Sequence, residues 1–179
     1  MRLKRFRTRV VFSSPFFIFL GALFLLGYQS KAAAHHLFGN MAYLTSYPDF
    51  ADKVTLGNGT YAWNNGRFFY NLYFEGHYVY GDFNRDGLRD AAVIISEGEG
   101  GSGDFRALAF LINDGRHLVH RASHYLGDRV NIHSLRSRSG KVVVDMFVHQ
   151  EHDCMAGPTK RFQTVCDYLK PDPDNLLSR

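Results

Sequence analysis

A mainly antiparallel β-fold, joined by hairpins and curled into a barrel or sandwich, is what this sequence predicts downstream of an N-terminal hydrophobic helix. Three observations lead there. After residue 34 no stretch keeps its apolar residues at the 3.6-residue period of an amphipathic helix. Residues 141–149 alternate instead, with Val142, Val144, Met146 and Val148 on the side expected to face the core, and Val143, Asp145, Phe147 and His149 on the other. Turn formers punctuate the β-rich runs at Gly57-Asn58-Gly59, Asn113-Asp114-Gly115 and residues 137–140.

Residues 1–34 read as targeting. Arg2, Lys4, Arg5, Arg7 and Arg9 form a basic head, residues 10–26 are mostly apolar, and Ala32-Ala33-Ala34 offers small residues ahead of a cut at His35. A secretory signal peptide and an uncleaved membrane anchor are the two readings, and either exports the rest to the periplasm or beyond. Ser13, Ser14 and Pro15 shorten the uninterrupted apolar core. The segment carries six of the 21 basic residues and no acidic one, so residues 35–179 have a formal charge of −2. The high isoelectric point therefore belongs to the export signal, and no nucleic-acid partner is implied. The membrane is touched only through this segment.

Residues 35–53 form an aromatic lead segment, and residues 54–170 a single β-domain, long enough to bury a core. Residues 54–56 and 60–61 flank the Gly57-Asn58-Gly59 turn as a hairpin. Residues 67–74 and 77–80 are aromatic strands, and residues 91–96 follow as another. Residues 97–103, with Glu97 and Glu99 among glycines, read as a solvated connection. Residues 105–112 and 118–125 pair around Asn113-Asp114-Gly115. Residues 126–129 turn the chain into a strand at 130–136, which reverses through 137–140 into the alternating strand above. Residues 162–169 form the last strand, and residues 171–179 a tail.

The stretch with the most chemistry is 81–90, GDFNRDGLRD. Counting Asp82 as position 1, side-chain oxygens fall at 1, 3, 5 and 9 as Asp82, Asn84, Asp86 and Asp90, with the Leu88 carbonyl at 7 and Gly87 at the bend. Alternate residues of a tightly coiled loop converge on one point, and carboxylates and amides are hard ligands. The spacing therefore predicts a Ca²⁺ loop that locks two flanking strands; position 12 is Val93, so it is not an EF-hand. The competing reading is a metal-free turn in which Asp and Asn cap backbone amides, with Arg85 and Arg89 neutralising the charge.

This strand-flanked loop resembles the calcium loops of FG-GAP repeats in β-propellers, though it occurs once. Over a longer span the motifs GDFNRDGLRDAAVII, GGSGDFRALAFLIND, LGDRVNIHSL, GKVVVDMFVHQ and GPTKRF resemble a family of uncharacterised bacterial exported proteins and lipoproteins. The resemblance implies an envelope location and a shared fold, and it implies no reaction.

Two cysteines in an exported chain predict a disulfide between Cys154 and Cys166, worth on the order of 2–4 kcal/mol. The function these residues predict is a non-enzymatic binding or structural module for a protein, peptide or glycan, with aromatics at 61–83 as contact surface. The alternative is an exported hydrolase or metal-dependent enzyme built on His149, His152 and Asp153 or on Glu97 and Glu99. An Asp145–Arg129 ion pair is a further expectation. No Gly-x-Ser-x-Gly elbow surrounds any serine.

Overall fold

The computed structural model describes residues 31–47, 51–154 and 157–170, so the expected apolar stretch at 10–26 and the tail at 171–179 lie outside the described residues. The chain divides into units 1–33 and 34–179. Residues 31–38 are helical (α1), and this helix contains the Ala34–His35 junction. Among the described residues no helix is long and apolar enough to cross a membrane.

Unit 34–179 is built from antiparallel strands in three sheets. β1 (Ala42–Leu44) pairs with β2 (Lys53–Thr55). A five-stranded meander follows in chain order: β3 (Thr60–Asn64), β4 (Phe69–Gly81), β5 (Asp90–Gly98), β6 (Phe105–Asn113) and β7 (Leu118–Asp128). β8 (Asn131–Arg138), β9 (Lys141–Val148) and β10 (Lys160–Cys166) make a three-stranded sheet with β9 in the middle.

Every residue of β5 is buried, because this central strand serves two cores. Ala91, Val93 and Ile95 point into a core closed by Ala34, Phe38, Tyr43, Val54 and Leu56. Ala92 and Ile94 point the other way, into a core closed by Val142, Val144 and Met146 of β9. The period of two distributes one apolar run between two layers. Each buried Val, Leu, Ile or Met side chain among these contributes about 1.5–3 kcal/mol.

The alternation expected in β9 is present: Val142, Val144 and Met146 are buried, and Val148 packs beside them. Asp145, on the opposite side, pairs with Arg161 of β10 through Nε at 3.0 Å and Nη2 at 2.6 Å, not with Arg129. The β10–β9 register sets Asp145 opposite Gln163, diagonal to Arg161, and so brings the guanidinium over it. The Asn113-Asp114-Gly115 hairpin is also present. Gly115 has φ 88° and Asp114 Oδ1 accepts N–H bonds from Arg116 and His117 at 2.9 Å.

Three local expectations change. β2 and β3 are not a hairpin: only an isolated Gly57–Thr60 bridge joins them, and each strand pairs in a different sheet. Their turn is instead docked on the end of α1, where Gly59 N–H donates to Gly39 O at 2.7 Å. The two aromatic segments at 67–80 are one strand, β4, continuous through a bulge in which Phe74 to Tyr78 spans the same length as Ile95 to Val93. Gly76, at φ 78°, supplies the conformation that the bulge requires. Finally, β5 runs to Gly98, so Glu97 lies in the sheet and is buried.

No disulfide joins Cys154 to Cys166. Asp153 accepts hydrogen bonds from Thr159 N–H and Oγ1 at 3.0 and 2.7 Å, which holds the exposed Cys154 beside the start of β10. Cys166 is buried at the other end of that strand, opposite Val142. At about 3.3 Å per residue the strand alone separates them by roughly 20 Å, far beyond the approximately 7 Å that a bridge tolerates between Cα atoms. A thiol reagent should therefore label Cys154 in the native protein without prior reduction. Labelling that appeared only after reduction would restore the bridge.

Candidate functional site

The β4 bulge turns Glu75 and His77 into a cleft of about 570 Å³, where they meet Arg106 and Asp104, Ser102 and Arg129, and Asn131 and Ile132 of β8. The cleft is lined by β4 and β6 of the five-stranded sheet, by β8 and by loop residues. Ser96 Oγ donates to Glu75 Oε1 at 2.7 Å. Arg106 Nη2 is 3.0 Å from Asp104 Oδ2 and 3.6 Å from Glu75 Oε2, while its Nη1 donates to the Val130 carbonyl. One guanidinium therefore fixes two carboxylates and the start of β8.

The rim is laced together in the same way. Asp128 Oδ1 accepts Asp104 N–H at 2.9 Å, Arg129 N–H donates to Asp104 O at 2.7 Å, and Arg129 pairs with Asp128. Burial pushes the Asp128 carboxyl up, but the Asp104 N–H and the Arg129 guanidinium outweigh it and hold the group below the usual carboxylate range. Sequence reading missed this site because its members come from a strand bulge, β6, β8 and the loops between strands. The signal available was Glu75-Gly76-His77, a polar triplet with a glycine interrupting an aromatic strand.

The acidic loop divides into two parts. Asp90 is fully buried. Its Oδ2 accepts N–H bonds from Phe83 at 2.8 Å and Asn84 at 3.4 Å, and its Oδ1 accepts Asn113 N–H at 2.9 Å. It ties the β4–β5 turn to the end of β6. Asp82, Asn84 and Asp86 gather on the surface side. Asp86 N–H is shared by Asp82 Oδ1 and Asn84 Oδ1, both at 3.1 Å, Gly87 N–H donates to Asp82 Oδ2 at 3.1 Å, and Asn84 Nδ2 donates to Asp86 Oδ2 at 2.7 Å. Leu88 is exposed, and its N–H donates to Asp86 Oδ1 at 2.7 Å.

Among the described residues no three His, Cys, Asp or Glu side chains converge as metal ligands. The loop's gathered donors are two carboxylates and the Asn84 amide, with Asp90 turned into the fold behind them. Arg89 stacks over Tyr80, 3.8 Å from the ring centroid. Arg85 lies by Gly140 and acts on Asp167. Among the described residues no ion pair closes on Asp82, Asp86 or Asp90. The loop abuts the three-stranded sheet: a Cβ on Gly81 would come within 2.7 Å of Ser137 Oγ.

Glu97 is no solvated loop carboxylate. Its Oε2 accepts Ser46 N–H at 3.2 Å, and it sits beside Tyr70 in a nest of tyrosines where the Tyr47 and Tyr70 rings lie 5.5 Å apart. Burial raises its pKa to about 7, with the bond from Ser46 and the nearby Tyr70 hydroxyl pulling the other way. Glu99 stays exposed. In the 149–153 segment the Asp153 carboxylate is occupied by the N–H groups of Gln150 and Thr159 and by Thr159 Oγ1. No metal-binding triad forms there among the described residues.

Neither family profiles, nor curated proteins, nor solved structures give a match to this chain.

Proposed function

We propose that this chain is an exported, non-enzymatic β-domain of the bacterial envelope, braced by Ca²⁺ at the 82–90 loop, which holds a small polar ligand or partner segment in the cleft beside Arg106. The observation that carries the reading is the wiring of that cleft. Glu75, Asp104 and Asp128 are each held by a neighbour, so the wall is pre-organised, and ligands bind best to walls that need no ordering. Donors and acceptors of both signs line it, which suits a ligand bearing several hydroxyl, amide or zwitterionic groups. Residues 1–34 provide the export signal or tether.

Ca²⁺ would be held by Asp82, Asn84 and Asp86 with the Leu88 carbonyl, and Asp90 would brace the loop from behind. Support comes from the gathering of these oxygens around the N–H groups of Asp86 and Gly87, with no ion pair on either carboxylate among the described residues. Bound there, Ca²⁺ would remove the repulsion between carboxylates and stabilise the turn between β4 and β5. Calorimetry should give heat on adding Ca²⁺, and at about 100 times the dissociation constant the fold should gain about 2.7 kcal/mol over the chelated protein. Asp82→Ala with Asp86→Ala should abolish both effects. No heat together with no shift in melting temperature would reject the metal.

An exported hydrolase is the second reading, and one observation favours it: Glu75 and Asp104 both face Arg106 Nη2 in an open cleft, and paired carboxylates are the equipment of glycoside hydrolysis. Melting the protein against a panel of soluble glycans, then recovering each glycan, separates the two. A binding module returns its ligand intact. Cleavage that disappears in Glu75→Gln would overturn the leading reading.

A further inference from the structure

The outward face of the three-stranded sheet is a second concave surface, about 580 Å³ in volume, remote in character from the cleft. The registers set Arg136, Val143 and Val165 side by side across β8, β9 and β10. Since Val142 and Val144 point inward, these three point out, and Val165 is 57% exposed. Arg138 and Lys141 close one end, and Gln163 adds a neutral hydrogen-bonding group.

Charge on this face is unbalanced. The acids beside it are Asp145 and Asp167, and both are spent: Asp145 on Arg161 and Asp167 on Lys141, at 2.6 and 3.0 Å. Arg136 adds to the field that holds the Asp145 carboxyl below its ordinary range, but it closes no ion pair, and neither does Arg138, among the described residues. Two exposed guanidiniums are thus left over above an aliphatic floor. Guanidinium is the side-chain group best matched to a carboxylate, which it can grip with two parallel N–H bonds.

We propose that this trough binds a carboxylate-bearing polysaccharide, with Arg136 and Arg138 gripping successive uronate groups, Gln163 meeting sugar hydroxyls, and Val143 and Val165 lying against the sugar C–H faces. Charge complementarity selects an anionic chain. Of the anionic polymers, nucleic acid is disfavoured because no aromatic lines the trough for a base to stack on.

The full-length protein titrated with oligogalacturonate tests this, with neutral dextran, phosphatidylglycerol vesicles and single-stranded DNA as parallel probes. Oligogalacturonate should bind, neutral dextran should not, and added salt should weaken the binding. Arg136→Gln with Arg138→Gln should lower the affinity by at least about ten-fold without moving the melting temperature, because both side chains are exposed and unpaired. Absence of binding, undiminished binding by the double variant, or tighter binding of vesicles or DNA than of oligogalacturonate would each overturn the assignment. The result is independent of the cleft, since Arg136 and Arg138 take no part in it.

Discussion

Asp90→Ala should destabilise the folded chain by roughly 3–5 kcal/mol, read as a fall in the midpoint of urea unfolding. The carboxylate is fully buried and is the acceptor for three backbone N–H groups, those of Phe83, Asn84 and Asn113. Alanine leaves all three donors without an acceptor, and each such buried group costs about 1–3 kcal/mol, less where water can enter. The Asp90→Asn variant keeps one acceptor oxygen but turns an NH₂ group toward an N–H donor, so a smaller yet clear loss is expected. The loss from Asp90→Ala should persist in the presence of a chelator, because these bonds do not depend on metal. A change below about 1 kcal/mol would show that the three N–H groups find other partners and that Asp90 is not the brace.

The second large effect is hidden by compensation. His120 is buried on β7, where its Nδ1 accepts Leu44 N–H at 2.8 Å, so its Nε2 carries the proton that faces Ser123 Oγ at 2.9 Å and the Ala122 carbonyl. Burial lowers its pKa from 6.5 to about 4. Between those values the unfolded chain takes up a proton that the folded chain refuses, so stability falls as pH drops from 6.5 to 4. Glu97 has the opposite sign. Its folded pKa of about 7 lies above its ordinary 4.5, so the folded chain holds the extra proton in that window and stability rises as pH drops through it. Each shift corresponds to roughly 3 kcal/mol at about 1.4 kcal/mol per pH unit.

In the wild-type chain the two slopes should cancel between pH 4.5 and 6.5, giving a flat stability profile there. Glu97→Gln removes one of them. The variant should gain stability over wild type above pH 7 and then lose roughly 3 kcal/mol as pH falls from 6.5 to 4. The carboxylates of Asp128, Asp145 and Asp167, all held below their ordinary value of 3.8, lose their contribution only at more acidic pH and leave this window clear. A Glu97→Gln profile parallel to wild type from pH 4 to 7 would refute the compensation.

The cancellation depends on the burial of Glu97, which the sequence alone misreads. Locally it sits in Glu97-Gly98-Glu99-Gly100-Gly101, which has the composition of a surface loop. Nothing within that stretch reveals that Leu72 and Phe105 lie on either side of it in the sheet, or that Ser46, fifty-one residues away in the chain, offers its N–H. The cysteines carry the same lesson. Two cysteines in an exported chain suggest a bridge, and only the extension of β10 from Lys160 to Cys166 separates them.

Within the acidic loop the sequence predicted the turn and the gathering of Asp82, Asn84 and Asp86, because those contacts are made by side chains two to five residues apart. It grouped Asp90 with them by spacing alone, which says nothing of the backbone N–H groups that Asp90 accepts. Asp90 faces Asn113, and that neighbour exists only once β5 and β6 have paired.

The chain order of polar and apolar residues was enough to determine the class of the fold, the places where it turns, and the faces of β9, since each depends on backbone preferences acting over a few residues. Tertiary structure alone decided which strands pair, that β5 serves two cores, that Arg106 holds Glu75 and Asp104, and that two arginines are left over on the outer sheet. Those outcomes depend on which distant segments come into contact, and a local pattern of polarity fits many such arrangements until the packing of whole layers selects one.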